Sequence, residues 1–452
     1  MRMKQFNGYD GCSFCYAIGE HHQNKHIYPR SHCSENLRTD EEIREDMLTA
    51  FQTKTTTNGI KGISSLAGLP EFDLGNGLVV DSLHAVFLGA VKQHATLLLT
   101  ATDSPYYIGD PTSKARIDER LLSIKPPSRR SHLPRGLDTF NNWKGSELRN
   151  WLGYAAPCLN GILPVKYIKH LALLSQAVHI LNSDCVTSTG LERARYLIEE
   201  YVSQFEELFG LENMSFNIHL LPHLIKSIEN FGPMWVHSAA VFEFWNKKVM
   251  DKVTSLHGRA DQIVMRFLMT KFVESAIYSG SVTAETRKFI CKTLKIPNLT
   301  DEVVINKDFQ AMSSPEVINL REFELNVLLQ TGYVPINSAS SYTKIKINGI
   351  DYHSKNDNDN KFCNPIISYK NKFGEILSII DFENQDNSNV QGFFLKLYKI
   401  KRSAFDTDYI KEIEITDDII FISDLKFVRP ATKVSTDMGI FVFELPNCWE
   451  TD

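Results

Sequence analysis

The chain has 452 residues, 43% of them hydrophobic and 11% aromatic, which is enough apolar material for roughly two to three domains. Its formal net charge is −5, close to neutral for this length, so a nucleic-acid surface has to be local rather than global. No apolar run reaches the roughly 18 residues that suggest a membrane helix, and the start, "MRMKQFNGYDG", has no apolar leader stretch. The eight cysteines are scattered, and only Cys12 and Cys15 are closely spaced. That pattern suits reduced thiols in a nuclear or cytoplasmic protein and excludes a disulfide-stapled secreted scaffold.

Residues 1–38 read as an irregular segment rich in Gly, Cys, His and Asn. "TDEEIREDMLTAF" predicts a helix, with Thr39 as its cap and Glu42 as the reciprocal partner. After a loop over 55–77, "VVDSLHAVFLGAVKQHATLLL" predicts a long apolar helix started by Asp81. "IKPPSRRSHLPRG" is a proline-broken basic loop. Helical spacing returns in "WKGSELRNWLGYAAPCL", "VKYIKHLALLSQAVHIL" and "GLERARYLIEEYVSQFEELFG". It continues through "HLIKSIENFG" and "FEFWNKKVMDKVTSLHG" and over 261–279.

This predicts a helical domain over 39–295 and a linker over 296–340 with some helix. Over 341–452 the pattern changes to short alternating runs. "YTKIKINGIDYH" turns at Asn348-Gly349, a strong hairpin signal, and five to seven strands are expected in all. The expected fold class is mainly α, with a small all-β, barrel-like module at the C-terminal end.

Cys12 and Cys15 have the spacing of half a zinc site, because two thiolates two residues apart can share one tetrahedral ion. Two completions are open. His21, His22, His26, His32 and Cys33 would make a local knuckle. His219 and His223, four apart in "NIHLLPHLIKS", would share one helix face and close the site at long range. Pro222 predicts a helix that begins close to Leu220 or Leu221, with His219 just before it.

In the basic loop and beyond it, Arg129, Arg130, Arg135, Lys144 and Arg149 are candidate phosphate contacts, with Trp143 available to stack. Lys247 and Lys248 could face the same DNA. Asp81 and His84 stand one helical turn apart and read either as a metal or phosphate pair or as a helix cap beside a packed histidine.

Four blocks in order resemble the transposase of the CACTA (En/Spm-like) DNA transposons, over roughly residues 6 to 255. They are "FNGYDGCSFCYAIG", "GIKGISSLAGLPEFDLGNGLVVDSLHAVFLGAVK", "WKGSELRNWLGYAAPCLNGILP" and "FEELFGLENMSFNIHLLPHLIKSIENFGPMWVHSAAVFEFWNKKV". The resemblance implies an RNase H-like core with an Asp-Asp-Glu triad and two divalent metals, interrupted by a helical insertion. It makes Cys12, Cys15, His219 and His223 one structural zinc site and Glu243 the triad carboxylate, with Asp81 an alternative.

In that family both aspartates precede the Cys-x-x-Cys block, where this chain has eleven residues. The expectation is therefore an N-terminally truncated derivative, explained equally by an error in the gene's annotation or by a domesticated remnant, that is inactive alone and takes Mg only if a complete site is assembled. Nuclear DNA is the expected partner. "NKFGEILSII" and "VFELPNCWE" resemble the tail behind some relatives of this group; the β module could be a small SH3-like barrel that binds protein or DNA, and a packing or assembly module, for a homo-oligomer or a protein partner, is the preferred reading. The alternative is a non-enzymatic, zinc-stabilised module that binds DNA or protein.

Overall fold

The computed structural model describes residues 2–32, 36–127, 132–279, 281–294, 309–355 and 365–447. It divides into two units. The larger comprises Met1–Ser238, Ala311–Ile345 and Ile350–Asp452; the smaller comprises Ala239–Gln310 and Lys346–Gly349. Helix makes up 45% of the chain, beside a large antiparallel sheet. The fold is therefore mixed, and the expectation of a mainly helical chain holds only in part. The β portion is larger than expected because strands within 296–340 join it and its central strands are long.

In the larger unit a two-stranded hairpin, β1 (Glu20–His22) and β2 (Lys25–Ile27), precedes the helices. Helix α1 (Asp40–Thr53) starts with the predicted capping box. Glu42 donates its backbone N–H to Thr39 Oγ1 at 3.2 Å, and Thr39 returns its own N–H to the Glu42 carboxylate at 3.0 Å. Ile43 and Met47 from this helix pack on Ile60 and Leu74.

Asp81 caps the next helix by accepting the N–H groups of Leu83 and His84. That helix begins with wide, π-type turns over Ser82–Val91 and runs on as α2 (Lys92–Thr100). Gly89 is required within it: a Cβ there would lie 2.6 Å from Asn217 Cγ, so a larger residue would push apart two helices that need to touch.

Helices α3 (Pro111–Leu122), α4 (Gly145–Leu159), α5 (Val165–Leu181), α6 (Ser188–Phe209) and α7 (Phe216–Phe231) follow the predicted periodicity. They surround one apolar core that includes Trp151, Tyr167, Phe205 and Leu221. Helix α7 starts four to five residues before the place that Pro222 suggested. Ser215 caps it, and Pro222 sits in its interior. An interior proline costs about 3 kcal/mol. Ile218, Leu221, Leu224, Ile225 and Ile228 are all buried along α7, each contributing about 1.5–3 kcal/mol, so burial outweighs the lost bond.

After the short strands β3 (Gln310–Ala311) and β4 (Glu316–Ile318) come α11 (Glu322–Gln330) and β5 (Ala339–Tyr342); α8 to α10 belong to the smaller unit described below. β6 (Lys344–Ile347) and β7 (Ile350–His353) flank the predicted turn. Asn348 and Gly349 both hold positive φ there, 49° and 76°, as a type I′ turn requires.

The remaining strands are β8 (Ile366–Tyr369), β9 (Lys372–Glu383), β10 (Asn389–Ser403), β11 (Lys411–Ile422), β12 (Val428–Thr436) and β13 (Gly439–Glu444). They pair in the order β10-β11-β13-β12-β8-β9, and β9 pairs again with β10, so six strands close into a ring. Ile366, Phe373, Tyr398, Ile413, Ala431 and Val442 form one interior layer, one residue from each strand of the ring. On β13 the period of two sends Phe441 and Phe443 the other way, into the helical core. Arg116 and Arg120 on α3 both bind Asp437 in the β12–β13 turn, and Arg120 also donates to Cys158 O and Asn160 O at 2.7 Å.

The smaller unit contains α8 (Ala240–Met250), α9 (Arg259–Tyr278) and α10 (Ala284–Leu294). No helix among the described residues is long and apolar enough to cross a membrane.

Two histidines sit deep in the helical core without an opposite charge. His94 on α2 lies 3.0 Å from Tyr201 OH, and His170 on α5 donates from Nε2 to Tyr201 O at 2.9 Å. Their rings are 5.5 Å apart. Burial holds His94 well below its ordinary value and His170 down to about 4, the latter opposed by its bond to Tyr201 O. Both are therefore neutral when folded, whereas the unfolded chain takes up protons below about pH 6.5. Stability is full above that pH and falls as pH drops toward 4, by about 3 kcal/mol for His170 alone. Urea denaturation at pH 7 and pH 4.5 is expected to show this loss, and the His170→Gln variant is expected to show a shallower one.

Candidate metal centre

The segment before α1 is tied to the start of α7 by backbone bonding: Tyr28 donates its N–H to Met214 O at 2.7 Å. Ser215 caps α7 by accepting the Ile218 N–H at 3.4 Å, and it donates its hydroxyl to Gln93 Oε1 at 2.5 Å, which joins the cap to α2. On the capped helix His219 and His223 share one face. Facing them are Cys12 and Cys15, both fully buried; His219 is 3% exposed and His223 is 7% exposed.

The four side chains meet. Cys15 Sγ lies 3.4 Å from His219 Nε2, Cys12 Sγ lies 3.7 Å from His223 Nε2, and the two Nε2 atoms are 3.4 Å apart. All four donor atoms fall within 4.8 Å of one another. A tetrahedral zinc with Zn–S of about 2.3 Å and Zn–N of about 2.0–2.1 Å requires S···N near ~3.6 Å and N···N near ~3.4 Å. The observed separations match the edges of that tetrahedron, so the donor set fits zinc in both chemistry and size.

The surroundings suit thiolate ligands. Phe14 N–H donates to Cys12 Sγ and Ala17 N–H donates to Cys15 Sγ, each at 3.4 Å. Such bonds orient a thiolate and spread its charge. The Cys12 thiol is held far below its ordinary range, first by hydrogen bonding to Cys15 and then, against the opposing effect of burial, by bonding to His219 and His223. Phe14 stacks on the His223 ring at 5.4 Å and Tyr28 stacks on His219 at 4.8 Å. Neither aromatic carries a signal in the sequence, because the two stacks form only when the distant segments meet.

Among the described residues this cluster joins the Cys pair to the distant histidines. His21 and His26 instead face each other across the β1–β2 hairpin, with rings 5.0 Å apart, and His26 packs edge-on to Tyr28. Cys33 lies outside the described residues, as do Arg129 and Arg130.

Asp81 and His84 are paired, Oδ2 to Nδ1, at 2.5 Å, while both Asp81 oxygens also accept helix N–H groups. Glu243 is exposed in the first turn of α8, in the smaller unit. Arg135 makes a two-pronged ion pair with Glu147, and Trp143 is buried, 5% exposed, with its ring N–H on Thr139. Arg149 is buried as well, and Lys144 is exposed. The basic-loop residues that are described therefore do not form one exposed cationic face. In comparisons with protein-family models, curated proteins and solved structures, this chain finds no match.

Replacing His219 with Ala is expected to abolish metal binding, measured as zinc per chain by atomic emission, whereas His22→Ala retains one zinc. Chelation or the His219 substitution should destabilise the larger unit, read as a lower urea midpoint than that of the zinc-loaded chain. Undiminished zinc in the His219 variant would overturn the long-range site.

Proposed function

We propose that this chain is a transposase-derived, DNA-processing protein of CACTA type, held together by a structural zinc at Cys12, Cys15, His219 and His223. The observation that carries the reading is the junction of a Cys-x-x-Cys pair with a His-x-x-x-His pair 204 to 211 residues further on, the pairing the resemblance implies. Zinc here would be a structural clamp: four protein donors fill a tetrahedron and leave no open position for substrate. In the sequence His223 precedes Glu243 by twenty residues, the order that the resemblance implies.

The ancestral reaction of this reading is metal-dependent DNA cleavage and strand transfer in the nucleus. Two divalent ions, when bound, would activate the attacking oxygen and stabilise the leaving one. Glu243 matches one of the three carboxylates that such a site uses, and one carboxylate does not make a two-metal site. Mg therefore has a place only if further carboxylates join Glu243. Asp81 has its oxygens turned to helix N–H groups and to His84, which favours its role as a cap.

The second reading is a non-enzymatic, zinc-stabilised module that binds DNA or protein. The closed barrel favours it, since a ring of strands fused to the helical core offers a rigid surface for a partner or for a second copy of the chain.

A nicking assay on supercoiled DNA with Mg²⁺ or Mn²⁺ separates the two. This polypeptide alone is expected to give no cleavage above background, with Glu243→Gln indistinguishable from it. Metal-dependent nicking abolished by Glu243→Gln would establish an enzyme and overturn the expected inactivity. Specific retention of duplexes bearing transposon-type terminal repeats would support the DNA-processing ancestry, and indifference to sequence would favour the module.

A further inference from the structure

Helix α8 combines two features that rarely occur together. Every residue from Ala240 to Lys248 is exposed, including Phe242 at 69%, Phe244 at 53% and Trp245 at 46%. Lysines are interleaved with the rings: the Lys248 ammonium lies 4.4 Å over Phe244 and 4.9 Å over Trp245. Residues 244, 245 and 248 share one helix face, and Lys247 flanks it. The two rings lie 6.3 Å apart at 75°, so neither covers the other. On α9 the same pairing recurs, with Lys271 at 5.8 Å over Phe267.

Charge identifies the occupant of this face. Residues 240–294 hold nine Lys and Arg against five Asp and Glu, a net of +4 in a chain whose total is −5. Lysine is depleted from the cores of protein interfaces, yet here it sits directly over the exposed rings. Interleaved rings and cations are what an unpaired polynucleotide needs, because each base offers a flat face to stack and each phosphate a negative charge close by. In a duplex the base faces are already stacked on one another, so the rings of α8 would add nothing there.

We infer that the Phe244–Trp245–Lys248 face of α8, with Lys247, binds single-stranded nucleic acid by stacking unpaired bases. This rests on the nucleic-acid side of the reading above but on neither the zinc clamp nor a catalytic triad. It would place a melted or displaced strand beside Glu243 on the same helix.

The test uses the full chain with its zinc retained, no added Mg²⁺, and fluorescently labelled oligothymidylate in an anisotropy titration. Single strand is expected to bind at least ~10-fold more tightly than duplex of equal length. Trp245→Ala and Phe244→Ala should each weaken single-strand binding roughly 10-fold, while circular dichroism and zinc content stay unchanged. Lys247→Gln with Lys248→Gln should lower the slope of log affinity against log salt by about 1 to 2.

Equal affinity for single strand and duplex would overturn the inference. So would unaltered oligonucleotide binding in Trp245→Ala accompanied by lost self-association in sedimentation, which would make the face a contact between copies. Either result with zinc bound leaves the clamp intact, so failure of this inference is distinguishable from failure of the transposase reading.

Discussion

The deepest link between residues 2–30 and the helices is one junction: two thiols near the start of the chain meeting two imidazoles on α7. That segment has little apolar material of its own, and its small buried cluster consists of Cys12, Cys15, Ala17 and Tyr28. Such a patch cannot offset the conformational entropy of ordering some thirty residues, at roughly 1–2 kcal/mol each for the backbone. The thiol–imidazole junction adds to that patch, beside backbone bonds from Lys4 N–H to Gly59 O and from Tyr28 N–H to Met214 O, both at 2.7 Å. It is also specific in direction, because α7 must present both histidines on one face and its cap must be set by Ser215 and Gln93 before the sulfurs can meet them.

The second organising constraint is the wall shared by helices and barrel. β13 carries alternate residues into two different cores: Val442 fills the ring, while Phe441 and Phe443 fill the helical layer. A strand with two apolar faces serves both sides only if both are dry, and the turn before it is held to the helices through Asp437 and the α3 arginines. Burying an arginine is costly unless its donors are used, and Arg120 uses its two terminal nitrogens on two backbone carbonyls and a carboxylate.

Local signals in the sequence translated well. The Thr39–Glu42 box, the Asp81 cap, the Asn348-Gly349 turn and the change from helical to alternating periodicity near residue 340 all rest on a few neighbouring residues, and each is present in the structure. What the sequence conveyed less well depends on distant partners. Pro222 suggested a late helix start because propensity is local, whereas the burial of Ile218 and Leu221 is tertiary. Arg149 and Trp143 look like DNA contacts in a basic stretch, but their helix and turn direct them inward. The His94–His170 pair has no pattern to find, since α2 and α5 bring it together from opposite sides of a core. The two completions of the cysteine pair were equally legible by spacing alone; only packing brings one of them within reach.

The junction also has a topological meaning. Cys12 and His223 stand 211 residues apart, so a bond between them closes a loop containing nearly the whole helical layer. Closing a loop of this size early would cost several kcal/mol in lost chain freedom with nothing yet formed to offset it. Closure is therefore least costly once α7 is already docked on its neighbours. In that order the four side chains would be a latch thrown last, on a segment whose Arg2 and Lys4 also bond to Lys61 and Gly59.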